Sequence, residues 1–340
     1  MIYAPALAIE KVCGVDMDIA IGIMGTVCCI YTSLGGIKAV IWTDVVQYLS
    51  MYAGFCAIIY KGLVDLGPSQ IFSVAQEHGR LRLDDFSLDP RTRHSVFACV
   101  MGGTFGLWLG LYGVNQSNVQ RYVSCKSESE ARKAVWLNSC ALIIINATAA
   151  MSGLIMFAYY VDCDPLQAGF ISAKDQLAPY LVLDKLGIYR GLPGLYLASA
   201  CSGTLSTVSS GINAVCAILI DDLKLSLPLV RKHSYFFSRL IVFISGIGAV
   251  LAAFVAKTMT GTVLQAAMSV NGIVAGPVLG LFTVGMFCPW VGELSVLLAF
   301  VASISSSVVM YIFNSPTPQF QKLLNGKSDV SPPIDKCLKY

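Results

Sequence analysis

The chain has 340 residues, 56% of them hydrophobic and 13% charged, with a formal net charge of +3 and a mean hydropathy of +0.69. A soluble globular domain carries about 25% charged residues, so that class is excluded, and so small a charge spread over loops gives no reason to expect a nucleic-acid partner. No Asp, Glu, Lys or Arg lies between Arg93 and Arg121, Arg190 and Asp221, or Lys257 and Glu293, and each run can hold the roughly 20 apolar residues that a membrane-crossing helix needs.

Residues 2–9 form a short apolar stub without the basic region of a signal peptide. It is expected to be the tail of a helix whose beginning lies outside the chain, which would make the chain a truncated one. Eight apolar spans follow, at 19–34, 39–60, 96–114, 134–160, 193–219, 240–256, 262–288 and 294–313. A tight turn at Gly35-Gly36-Ile37-Lys38 is expected between the first two, and long polar loops at 61–94 and 162–190 follow the second and fourth. From Asn314 onward, Pro316, Pro318, Pro332 and Pro333 mark a solvated segment. The predicted organisation is therefore a membrane domain over 1–313 and a disordered polar tail over 314–340.

Lys and Arg are densest in the short segments at Lys38, 121–133 and 221–239, which assigns that side to the cytoplasm. Most of the twelve cysteines fall in the apolar runs, where they act as small hydrophobes. Cys13, Cys163 and Cys337 lie in loops and are the candidates for a bridge. Sequons at Asn115 and Asn146 fall in or at the end of spans, which argues against glycosylation there.

Asp44 is a carboxylate inside the second span. A charge in hydrocarbon costs several kcal/mol unless paired or hydrated, so ion or solute handling is expected of it; the competing explanation is a side chain snorkelling at a helix end. The fifth span is the most polar. Ser202, Ser206, Ser209 and Asn213 recur at i, i+4, i+7 and i+11, one helical face, with Ser210 a turn after Ser206 and Thr207 beside the stripe. Na+ is a hard cation that takes oxygen ligands, so such a stripe opposite Asp44 is a chemically sensible Na+ path. Any single hydroxyl could instead bond back to the i−4 carbonyl or ease helix packing; the cluster as a whole favours function.

The third span is rich in glycine and ends in the amide run Asn115-Gln-Ser-Asn118, compatible with an irregular backbone lining a cavity. Trp108 and Tyr112, four apart, are either the aromatic wall of a solute pocket or ordinary packing aromatics. In the seventh span Gln265 and Asn271 are expected deep in apolar surroundings, Gly272 and Gly276 form a small-residue face, and Pro277 is expected to kink the helix. His78, His94 and His233 belong to no hydrolase or metal motif, and no nucleotide-binding loop or nucleophile elbow occurs, so no catalytic residue and no cofactor is predicted.

Three segments together carry a family resemblance: Tyr31-Thr-Ser-Leu-Gly-Gly-Ile-Lys-Ala-Val-Ile-Trp-Thr-Asp-Val-Val-Gln47, Tyr112-Gly-Val-Asn-Gln-Ser-Asn-Val-Gln-Arg121, and Gly191-Leu-Pro-Gly-Leu followed by Ser202-Gly-Thr-Leu-Ser-Thr-Val-Ser-Ser210. The chain resembles the sodium/solute symporter family. The segments at Asp162-Cys-Asp-Pro and Lys174–Asp184 resemble its monocarboxylate branch, with the vitamin and iodide branches next. The resemblance implies an all-α polytopic membrane protein, a partial inverted-repeat bundle of leucine-transporter type. The stub would end core helix three, spans one to seven would be core helices four to ten, and span eight would be peripheral.

By the same resemblance the main Na+ site would use the Gly203 carbonyl with Ser206 and Thr207, a second Na+ site Asp44 with Ser209 and Ser210, and the solute site Trp108, Tyr112, Asn115 and Gln265. The implied function is Na+-coupled uptake of a small organic anion such as lactate, pyruvate or nicotinate across the plasma membrane, with Na+ as coupling ion and the bilayer as surroundings. The alternatives are a biotin- or pantothenate-type vitamin or iodide as solute, or a transport-dead truncated form acting through association with partners.

Overall fold

The computed structural model describes residues 2–81, 86, 88, 89, 96–257 and 262–314, the side chains of 36–39, 98 and 314 excepted. Among these residues there is no strand. The helices are α1 Tyr3–Cys13, α2 Met17–Asp65, α3 Gly67–Glu77, α4 Val96–Ala98, π-helical turns at Cys99–Trp108 and Gly110–Val114, α5 Gln116–Val123, α6 Glu128–Tyr159, α7 Leu177–Leu181, α8 Leu192–Ser226, α9 Pro228–Lys232, α10 Ser234–Lys257, α11 Val263–Phe287 and α12 Glu293–Asn314. Six of these stretches are long and apolar enough to cross a membrane, or seven if the second half of α2 and α3 count as one bent span. Every predicted span coincides with a helix, although 96–114 is a shorter, π-helical one.

Asp16 opens α2, its side chain accepting from the Asp18 backbone N–H at 2.8 Å. Helical backbone runs unbroken through Gly35–Lys38, where a turn was expected, yet the chain does reverse. Tyr31 and Gln47 lie within side-chain hydrogen-bonding reach of each other; a straight helix would hold them roughly 24 Å apart at 1.5 Å per residue. Tyr31 and Met51 likewise both reach the same part of α8, the first at Leu205 and the second beside Ser199 and Gly203. α2 is therefore a hairpin of two arms, Met17–Gly35 and Val40–Asp65, reversing within helical backbone.

The described chain forms two compact units, one of residues up to Leu81 with Arg132–Val263, the other of residues up to Ala131 with those from Leu264. In the first unit, the first arm of α2 packs on α8, α9 and α10 through Cys28, Ile212, Cys216, Val230 and Val242. The second arm packs on α3, α6 and the 162–190 segment through Ile58, Ile71, Ile155, Leu181 and Leu186. α1 closes against the start of α2 and the end of α10 through Ala6, Ile21 and Ala253. Between apolar helices in lipid, association depends on close packing rather than on burial from water. Small residues supply it: Gly54 meets Ser199, Gly62 meets Ile155 and Gly246 meets Cys29.

Parts of the two predicted loops are helical. α3 follows a 94° bend after α2, where Gly67 adopts φ +76° and Pro68 occupies the first turn; its buried Ile71 and Ala75, four apart, give it one apolar face. At the end of α6, Tyr159 donates to Asp65 of α2 at 2.8 Å, and the next residue, Tyr160, donates to Asp184 of the 162–190 segment at 3.0 Å. Each carboxylate is also met by a lysine, Lys61 at 2.7 Å and Lys185 at 3.2 Å. Phe170 stacks on Tyr180 at 5.8 Å, and burial together with the charge of Asp184 pushes the Tyr180 phenol above its ordinary value. Cys163 is disulfide-bonded, Cys13 is an exposed free thiol, and Cys337 lies outside the described residues, as does the predicted tail from 315 onward.

Candidate functional site

The residues proposed from sequence for Na+ all fall in the first unit, and those proposed for the solute all fall in the second. α8 begins after Gly191, at φ +95°, with Pro193 in its first turn, and runs uninterrupted through the polar stripe. Ser209 is fully buried, with 0% of its surface exposed, and its hydroxyl donates to the Ser206 carbonyl at 3.2 Å. Thr207 is exposed and donates to the Gly203 carbonyl at 3.2 Å, so its hydroxyl and that carbonyl sit side by side. Asn213 spends its amide N–H₂ on the Ser209 carbonyl at 3.1 Å. These are the local back-bonds that make hydroxyls tolerable in an apolar helix. They use the hydrogens and leave oxygen lone pairs for something else.

Asp44 and Gln47 are both half-buried and three residues apart on the second arm of α2, hence on one face. Gln47 Oε1 is buried and accepts no hydrogen bond. Tyr31 joins the two helices: its hydroxyl donates to the Leu205 carbonyl of α8 at 3.0 Å and lies near Ser209 and Gln47. Sequence reasoning singled out neither Tyr31 nor Gln47 as site residues. Both stand in the quoted 31–47 segment, but only the reversal of α2 reveals that they meet.

In the second unit, Trp108 and Tyr112 stack at 5.9 Å with their planes 23° apart. The π-helical winding carries them, and π turns inside helices are frequent at functional sites. Gly110, between them, abuts Ala275 of α11; a β-carbon there would fall 3.2 Å from the alanine side chain. Asn115 caps α5, accepting from the Ser117 backbone N–H at 3.0 Å and from its hydroxyl at 2.5 Å. Asn118 donates to the Leu111 carbonyl at 2.7 Å, tying α5 back to the π turn. Gln265 occupies the first turn of α11 and is exposed, rather than enclosed by apolar side chains as expected. Pro277 is buried within α11, which continues past it.

Comparison with known proteins then gives a consistent picture. The model of the sodium:solute symporter family matches residues 1–308. The chain is 44% identical over 292 residues to the sodium/iodide cotransporter of Homo sapiens, covering 85% of this chain and 45% of that protein. It is 43% identical over 329 residues to sodium-coupled monocarboxylate transporter 2 of Mus musculus, covering 95% and 53%. With sodium-coupled monocarboxylate transporter 1 of Homo sapiens the identity is 44% over 315 residues, covering 91% and 51%. The chain thus spans about half the length of these relatives. Among solved structures, a Na+-coupled sialic acid symporter in a substrate-bound outward-open state superposes with a TM-score of 0.66 at 24% identity, covering 84% of this chain and 59% of that one. That likeness establishes the fold.

Proposed function

This chain belongs to the sodium:solute symporter family, and on that footing we propose that it serves Na+-coupled symport of a small monocarboxylate, such as lactate, pyruvate, nicotinate or a short-chain fatty acid, across the plasma membrane. The observation that carries the ion-binding part is the meeting of α2 and α8 through Tyr31, whose hydroxyl donates to the Leu205 carbonyl of the turn that ends at the buried Ser209. Na+ would be held by the Asp44 carboxylate with the Ser209 and Ser210 hydroxyls, oxygen ligands of the kind a hard cation takes. The second ion would take the Gly203 carbonyl with Ser206 and Thr207.

For the solute, the choice of an anion follows from charge. Two relatives are named for iodide and for monocarboxylates, which share a single negative charge, and a bound Na+ offsets that charge. Trp108 and Tyr112 would provide an aromatic wall, with Asn115 and Gln265 as polar contacts. Coupling is ordinary linkage: ions and solute that favour the same state of the protein raise each other's affinity by the same factor. The membrane potential adds about 2.3 kcal/mol per charge per 100 mV.

The test is uptake of radiolabelled lactate into vesicles carrying the chain, with Na+ or choline outside, and with iodide, biotin and pantothenate as competitors. Na+-dependent lactate uptake supports the proposal. Na+-dependent uptake of iodide or a vitamin in its place would reject the monocarboxylate assignment, and lactate uptake indifferent to Na+ would reject the coupling.

A further inference from the structure

Tyr31 projects from the first arm of α2, half-buried, against the middle of α8. A phenol has one hydrogen to donate, and here it goes to the Leu205 carbonyl at 3.0 Å. In an α-helix that carbonyl also receives the backbone N–H four residues on, that of Ser209. The Tyr31 hydroxyl therefore clamps the single turn Leu205–Ser209, which carries Ser206, Thr207 and Ser209.

The oxygens around it have a common property. The Tyr31 hydrogen is committed to Leu205, the Ser209 hydrogen to the Ser206 carbonyl at 3.2 Å, and Gln47 Oε1 is a buried acceptor without a donor. The thiol of Cys28 faces the Tyr31 oxygen at 3.8 Å, but a thiol is a weak donor. Lone pairs of the Tyr31 and Ser209 hydroxyls are thus left where α2 meets α8, with the Gln47 side chain nearby. A cluster of acceptors with few donors in low dielectric is unfavourable unless a positive charge lies among them.

We propose that Tyr31 is a positioning residue for Na+: its hydroxyl fixes the Leu205–Ser209 turn against the second arm of α2, so that the hydroxyls assigned to the two Na+ sites are held together and the ions bind interdependently. The inference rests on the Na+-site reading given under Proposed function. It adds a residue outside either ligand set and a mechanical reason for the two sites to communicate, since one clamped turn serves both.

The experiment is equilibrium binding of radioactive Na+ to the full chain in lipid nanodiscs, comparing wild type with Tyr31→Phe, Ser209→Ala, the double variant and Asp44→Asn. Losing one hydrogen bond at a site is worth about three- to tenfold in affinity. Tyr31→Phe is expected to raise the half-saturating Na+ by about that factor and to flatten the binding curve. In the Ser209→Ala background the same change should add less than about twofold, the mark of a shared interaction.

Wild-type Na+ binding by Tyr31→Phe, alongside lost binding in Asp44→Asn, would overturn the role of Tyr31 and leave the site standing. Undiminished binding by Asp44→Asn would instead remove the site reading itself. Additive effects of Tyr31→Phe and Ser209→Ala would overturn the clamp. If Tyr31→Phe does not fold, Ser209→Ala alone decides: it must weaken and flatten Na+ binding, and an unchanged curve rejects the proposal.

Discussion

Gly54 of α2 and Ser199 of α8 approach so closely that a β-carbon on the glycine would fall 2.5 Å from the serine hydroxyl oxygen. That hydroxyl donates to the Met51 carbonyl at 3.2 Å, one turn before Gly54, so the contact is a packed and hydrogen-bonded helix crossing. Gly54→Val should force the helices apart at a cost of about 1–3 kcal/mol. Gly153 in α6 has open space where its β-carbon would go, so Gly153→Ala should be neutral or mildly stabilising. Thermal unfolding in detergent compares the two, and equal effects would contradict this account of the crossing.

Asp44→Asn keeps the shape of the side chain and removes its charge. A hydrogen bond or ligand contact to a charged group is worth about 1.5–3 kcal/mol, so the half-saturating Na+ should rise by about tenfold or more. Asp44→Glu should recover part of the loss, because the charge returns on a longer stem. A Na+ activation curve that does not move in Asp44→Asn would remove this carboxylate from the ion path.

The stacked pair Trp108–Tyr112 gives a prediction for the solute alone. An aromatic pair contributes about 0.5–1.5 kcal/mol beyond its area, so Trp108→Ala should raise the half-saturating solute concentration by about two- to tenfold. Trp108→Phe should do less. Na+ binding measured without solute should stay where it was; if it shifts as far as the solute curve, the ring is packing rather than recognition.

Tyr180 gives the pH dependence. Its phenol is raised above the ordinary value by burial and by Asp184, so from about pH 10, where an unfolded tyrosine ionises, the unfolded state binds fewer protons than the folded one. Stability then falls as pH rises; below about pH 10 both states keep the proton and the term is constant. Thermal unfolding followed from pH 8 to pH 11 should show a decline that is shallower in Tyr180→Phe. An identical slope in the two proteins would refute the assignment.

Much of the architecture is legible in the chain itself because hydrocarbon imposes a simple rule: a spanning helix needs about 20 apolar residues and satisfies its own backbone. The charge-free runs around Gly110, Thr207 and Ala275 therefore announced their helices. The stripe Ser202, Ser206, Ser209 and Asn213 was equally visible, since side-chain direction in a helix repeats every 3.6 residues. Less legible was α3, whose buried Ile71 and Ala75 sit among polar neighbours that read as loop.

The apolar spans, the location of Asp44 within one of them and the hydroxyl face of α8 follow from residue order and helical period. That α2 doubles back, so that Tyr31 and Gln47, sixteen positions apart, come near each other beside α8, emerges only from the packing of the helices. Periodicity reports which way a side chain points from its own helix axis, whereas the partner it meets depends on where the chain reverses and on which small residues, such as Gly54 and Gly246, let neighbouring axes draw close.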